Sequence, residues 1–382
     1  MQIEDLQTLF LKHKEFGLSH RYITNKHITP LLNNLSDNFK IETIGKSVLN
    51  KSIYAVKIGS GKKRILMWSQ MHGNESTTTK ALFGLFNTLA GDDDDDDEIR
   101  YILKKCTLYF IPILSPDGAE AYTRINANEV DLNRDAQDLT QPESLVLKEV
   151  FNTFKPHYCY NLHGQRTIFS VGKTNKPATV SFLAPAQDKV CTITDNRKIA
   201  MEIIAEMNTV LQQVIPNQVG VYDDAFNLNC VGDTFQSENI PTILFEAGHF
   251  KDDYARDITR EYIYMSMLTS ISYIASNKLN GEKYKPYLDI PENNKYFLDI
   301  IIRNAKVDDA FLDVGIQYQE RLIDNKIEFI PVVEKIEKLS DFFGHKEIDA
   351  KNEVVLNNCK EPLKVNNEIV FAMIKNEKIA LF

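Results

Sequence analysis

The sequence predicts an α/β protein: a mixed sheet with helices on both faces, followed by a small β-rich unit toward the C-terminus. Three observations lead there. Short apolar runs such as "RILMWSQ" (64–70) and "TLYFIPIL" (107–114) have the length and composition of strands buried on both faces. They alternate with longer segments whose apolar residues recur at helical spacing, from about residue 40 to residue 277. Near residue 280 a polar, Pro-containing stretch, "NGEKYKPYLDIPENN" (280–294), reads as a linker, and short β-like runs follow it.

Each element has its reason. Residues 1–35 read as helical with polar turns. "FKIETIG" (39–45) and "SIYAVKIGSGKK" (52–63) alternate like the strands of a hairpin. "RILMWSQ" is a buried strand, and "STTTKALFGLFNTLA" after it a helix, which puts His72 at a strand end and Glu75 near a first helical turn. The run "DDDDDDE" (92–98) reads as a solvated surface loop, because like charges at that density repel. A calcium site is the alternative, but the run lacks a Gly turn and spaced ligands. "TLYFIPIL" is a second buried strand, ended by the turn "SPDG" (115–118). "TQPESLVLKEVFNTF" (140–154) reads as a helix with a Thr cap and an acidic first turn. A strand fits 157–163, a helix 195–214, a strand 241–248 and a helix 255–277. The expected domains are therefore 1–280 and 281–382, the second carrying "IEFIPVV", "EVVLNN" and "EIVFAMI".

Composition removes several classes of function. The 382 residues are 43% hydrophobic and 25% charged, which suits a large core. A net charge of -9 argues against nucleic acid or an anionic membrane as the main partner. No apolar run reaches the roughly 18 residues of a membrane span, and "MQIEDLQTLFLKHKEF" reads as an amphipathic helix rather than a signal peptide. Five scattered cysteines without a CxxC fit reduced thiols. Together these point to a cytoplasmic protein.

The chemistry gathers at strand ends, where sites form in α/β sheets. "MHGNE" (71–75) holds His72 and Glu75 on a Gly turn, and "NLHG" (161–164) supplies His163. Two imidazoles and one carboxylate leave one position open on a tetrahedral ion, the arrangement of a catalytic zinc. The alternative is a pair of ordinary buried histidines. Glu246 ends the apolar run "PTILFEAG" (241–248), where a carboxylate is costly without a task or a partner. It can take a proton from attacking water, or pair with a buried Arg. In "RINANEVDLNRD" (124–135), one guanidinium could stabilise an oxyanion, and the other, with Asn133, could hold a substrate carboxylate. Isolated arginines on a loop are the plain alternative.

The ordered set "HGNE", "SPDG", Arg124, "DLNR" (131–134), "LHG" and "FEAG", with its lead-in hairpin, resembles the M14-type zinc carboxypeptidases over about residues 30–277. The donor set His-His-Glu is the one known from carboxypeptidase A, so it matches a known pattern. The resemblance implies a mixed eight-stranded sheet flanked by helices and one Zn2+ per chain on His72, Glu75 and His163. It implies Glu246 as general base and proton donor, and Arg124 as oxyanion stabiliser. Asn133 and Arg134 would grip the terminal carboxylate of a peptide or small amide substrate. Tyr222, in "GVYDDAF", is the candidate substrate-capping Tyr or a packed loop aromatic. Asp233, in "NCVGDTFQ", either selects a basic side chain or caps a turn, and His249 is expected to face solvent or pack behind the site. Ser replaces the family's usual Asn in "SPDG", and the interval from Glu75 to His163 is short, which suggests trimmed loops. The expected activity is hydrolysis of C-terminal peptide bonds. The alternative is a zinc deacylase of N-acyl amino acids resembling the aspartoacylase and succinylglutamate desuccinylase branch. A non-catalytic binding module would have lost a ligand or the base, and all are present.

Overall fold

A computed structural model describes residues 1–91, 97–375 and 377–381. The chain divides into two compact units, Met1–Gln165 with Ala178–Asn293, and Arg166–Pro177 with Asn294–Phe382.

Among the described residues, eight strands form the sheet of the first unit. They are β1 (Lys40–Lys46), β2 (Ser52–Ile58), β3 (Lys63–Ser69), β4 (Cys106–Ile111), β5 (Tyr158–Gly164), β6 (Val180–Leu183), β7 (Val219–Val221) and β8 (Thr242–Ala247). Their spatial order is β1-β2-β4-β3-β5-β8-β6-β7. β1 and β2 form the expected antiparallel hairpin, and β2 runs antiparallel to β4. The centre, β4-β3-β5-β8, is parallel, and β6 runs antiparallel to β8. The sheet is thus mixed and eight-stranded, as expected.

Alternation along β3 explains the layers. Ile65 and Met67 enter one core with helices α1 (Ile3–His13), α2 (Asn25–Asn33), α3 (Thr77–Leu89), α7 (Asp195–Leu211) and α9 (Thr259–Ser276). Leu66 and Trp68 enter a second core with α6 (Pro142–Phe154) and α8 (Val231–Ser237), where the Trp68 ring meets Phe235 at 5.4 Å. Successive side chains of a strand point to opposite faces, so a strand apolar at every position needs both layers.

Several local expectations change. "SPDG" opens a short helix, α5 (Pro116–Ala121), because Pro at the first helical position has no N–H to leave unpaired. Helix α6 begins after Gln141, not Thr140, whose hydroxyl instead donates to Asp135. The stretch 280–294 is no loose linker: Tyr287 and Ile290 are buried in the first unit. Of the acidic run, residues 92–96 lie outside the described residues. Asp97 and Glu98 form the first turn of α4 (Asp97–Lys105), at its positive end.

The second unit is β-rich. β9 (Phe297–Val307), β10 (Ala310–Ile323) and β11 (Lys326–Glu337) pair antiparallel in succession, and β12 (Phe343–Asp349) runs parallel to β9. Ile300, Ile302, Val314, Ile316 and Val333 make its core. No described helix is long and apolar enough to cross a membrane.

Candidate active site

The turn after β3 is fixed by its backbone. Gln70 takes a left-handed φ of 43°, and its amide is fully engaged: Nε2 donates to Ile23 O and Gly73 O, and Oε1 accepts from Thr79. A Cβ on Gly73 would lie 1.9 Å from the carbonyl carbon of Gly118, so only glycine lets the turn rest against "SPDG". α3 starts at Thr77, which leaves Glu75 just ahead of the helix.

His163 and Glu246 face each other across the parallel pair β5–β8 as register partners. Three donor groups converge there. His72 Nδ1 lies 2.9 Å from Glu75 Oε1, His163 Nδ1 lies 2.8 Å from Glu75 Oε2, and the two Nδ1 atoms are 3.1 Å apart. Gly164 N also donates to Glu75 Oε2. Two imidazole nitrogens at that distance share at most one proton, and the carboxylate brings none. A cation among His72, Glu75 and His163 satisfies all three, and the donor set fits zinc. Burial raises Glu75, but the two imidazoles outweigh it and hold the carboxyl well below its usual range.

Asp131 completes the arrangement, and sequence reasoning gave it no role. Its Oδ1 lies 3.0 Å from His72 Nε2 and its Oδ2 accepts from Arg124 Nε at 3.0 Å. Such a carboxylate fixes the imidazole tautomer and leaves Nδ1 as donor to an ion. The only sequence signal was its place in "DLNR", 59 residues from its partner. Burial raises Asp131, but its hydrogen bond to His72 and the charges of His72 and Arg124 hold it low.

Glu246 carries a buried Oε2 with no hydrogen-bond partner among the described residues, as does His163 at Nε2. Burial, then the Glu75 charge, push Glu246 well above the carboxylate range, while Arg124 and Arg256 oppose them. Arg256, buried and also without a role in the sequence reading, donates to Ala247 O and Gln165 O. It thereby joins the ends of the strands that carry Glu246 and His163.

The remaining candidates surround this cluster. Arg124 is exposed and reaches His72 Nδ1 at 3.3 Å and Glu75 Oε1 at 3.5 Å. Asn133 and Arg134 lie on the 3-10 turn Leu132–Arg134, whose cap is Asp131. Asn133 Oδ1 accepts from Val231 N at 3.0 Å, so its amide is oriented. Arg134, exposed, donates to Asn133 O and to Cys230 Sγ. Tyr222 follows β7, half-buried and hydrogen-bonded to Asn293; burial and the charges of Glu246 and Glu75 push its hydroxyl up. Asp233 is buried in the first turn of α8 and accepts from Asn227 N. His249 does not face solvent: it is buried against Tyr254, ring centroids 4.6 Å apart.

The chain is similar to known proteins over part of its length. The family model described as "Zinc carboxypeptidase" matches residues 25–209. Carboxypeptidase M of Mus musculus is 26% identical over 181 residues, which cover 40% of this chain and 41% of that one. Probable carboxypeptidase 2 of Arthroderma benhamiae is 29% identical over 118 residues, 31% of this chain and 21% of that one. The chain thus spans less than half the length of these curated relatives. Among solved structures, a metallo-carboxypeptidase from Pseudomonas aeruginosa superposes with a TM-score of 0.54 at 16% identity, covering 66% of this chain and 69% of that one. Carboxypeptidase A from Helicoverpa armigera gives 0.54 at 15% identity, with 72% and 80% covered. Over residues 25–209, the chain is similar to the zinc carboxypeptidase family.

Proposed function

We propose that the first unit is a zinc-dependent metallocarboxypeptidase that hydrolyses C-terminal peptide bonds, and that the second unit is accessory. The convergence of His72 Nδ1, Glu75 and His163 Nδ1 beside the unpartnered Oε2 of Glu246 carries this reading. Held by His72, Glu75 and His163, one zinc ion per chain would polarise the scissile carbonyl and make water acidic enough to attack near neutral pH.

The side chains supply the rest. Glu246 Oε2 takes the proton of the attacking water and returns it to the leaving amine. The Arg124 guanidinium, already turned toward His72 and Glu75, meets the negative charge that develops on the carbonyl oxygen. Val231 N–H occupies Asn133 Oδ1, which leaves Nδ2 as the donor for a substrate carboxylate. Arg134 adds a planar fork beside it. Tyr222 covers the bound substrate from the Glu246 side. Asp131 holds His72 in register with the ion.

The test is a mass-spectrometric screen of zinc-loaded protein against a pooled peptide library and N-acyl amino acids, with Glu246→Gln as blank. Loss of single C-terminal residues supports the proposal. Cleavage confined to N-acyl amino acids transfers the chain to the deacylase reading and removes the carboxylate role of Arg134.

A further inference from the structure

Arg124 and Asp131 sit at opposite ends of a loop without regular structure, yet both reach His72. Asn126 accounts for this. Its Oδ1 accepts the N–H groups of Asn128 at 3.0 Å and Val130 at 3.1 Å. Its backbone N donates to Val130 O, and its carbonyl accepts Glu129 N, each at 3.0 Å. Glu129 takes a left-handed φ of 61° to close the turn. The amide Nδ2 donates outward, to Gln141 Oε1 at 2.8 Å and Glu143 Oε2 at 3.2 Å.

Every hydrogen-bonding site of this buried amide is therefore used. One face closes the loop 126–130 on itself, and the other fastens it to the start of α6. Glu143 is fully buried, and its second oxygen accepts Val48 N at 3.3 Å. Gln141 is held in turn by Asp135, which accepts its backbone N–H. A carboxylate this deep is costly unless it has work, and the chemistry above leaves Glu143 unused.

We infer that Asn126, anchored by Glu143 and Gln141, is a positioning residue that sets Arg124 and Asp131 against His72; this rests on the zinc-site reading. Asn126 touches neither substrate nor reacting atoms. It acts through the loop whose ends close on each other at the Arg124–Asp131 ion pair, 3.0 Å.

The test compares Asn126→Asp, Glu143→Gln and the double variant in the full chain. The readouts are zinc affinity by competition with a chromophoric chelator, kcat and KM on a free-carboxylate peptide, and the NMR signal of the His72 Nε2–H held by Asp131. Asn126→Asp sets a carboxylate against Glu143. It is expected to weaken zinc affinity and kcat by about 10–100-fold and to broaden or shift the His72 signal, with KM nearly unchanged. The double variant restores a donor facing an acceptor, while the new amide still accepts Val48 N–H; it is expected to recover most of each loss. Wild-type zinc affinity, kcat and His72 signal in Asn126→Asp, or losses that accumulate in the double variant, overturn the inference. Should Asn126→Asp not fold, Glu143→Gln decides: a displaced His72 signal with unchanged unfolding supports it, and an unmoved signal overturns it. A wild-type chain that binds zinc but removes no C-terminal residue sinks the carboxypeptidase proposal alone, because the zinc and NMR readouts still judge Asn126.

Discussion

Asp233→Asn is expected to stabilise the protein above pH 6 and to leave it unchanged below pH 4. Burial, the largest influence, pushes the Asp233 carboxyl from its ordinary 3.8 up to about 6, although the N–H of Asn227 and the charges of Arg134 and Arg197 oppose it. The folded chain therefore holds a proton that the unfolded chain has lost across that window. Stability contributed by this group is complete below the unfolded value and falls as pH rises through the folded one. At roughly 1.4 kcal/mol per pH unit, the gap sets an upper limit of about 3 kcal/mol. Asn keeps the oxygen that accepts Asn227 N–H and never ionises, so it removes the loss without removing the bond. Urea unfolding followed by Trp68 fluorescence measures the effect. Trp68 is the single tryptophan of the chain, and its ring lies against Phe235, two residues from Asp233 on α8. A variant less stable than its parent near pH 7, or a difference that does not vary with pH, would refute the assignment. The first outcome would mean that the ionised carboxylate is needed by a cation.

The other predictions are shorter. Glu246→Gln should keep stoichiometric zinc and lose about 10²–10⁴ in kcat, read by metal analysis and turnover; near-normal turnover would dismiss it as the base. Arg134→Ala should raise KM for free-carboxylate peptides by roughly 10–100-fold, as expected for a charged hydrogen bond, and leave amidated analogues unaffected. Equal effects on both would show that it does not clamp the carboxylate. Gly73→Ala places a methyl against the Gly118 backbone and should cost about 1–3 kcal/mol of stability, with weaker zinc binding; a neutral substitution would mean the turn yields freely.

The sequence made the centre of the fold legible because β3, β4 and β8 carry apolar runs, and buried parallel strands have that composition. β6 and β7 escaped it: Val180–Leu183 and Val219–Val221 are too short for any periodicity to register. α5 hid behind a Pro and a Gly that read as a turn. At the site, His72, Glu75, His163 and Glu246 stood in short motifs at strand ends, and the structure brings them together. Asp131, Asn126, Glu143 and Arg256 did not stand out. Their work consists of contacts between residues distant in sequence, or of bonds to backbone carbonyls, and neither leaves a local pattern. Asn133 was found as a candidate donor, but its orientation depends on Val231, 98 residues away.

The pairing of His163 with Glu246 is a matter of main-chain register, and this has a bearing on how such a site can change. A slip of one residue between the two strands would turn one of these side chains to the opposite face of the sheet. No gradual loosening lies between the working and the broken arrangement. The loops that carry Asn133, Arg134 and Tyr222 have no such constraint. New substrate preferences can therefore arise by rewriting those loops while the spacing of His163 and Glu246 is inherited unchanged from the sheet.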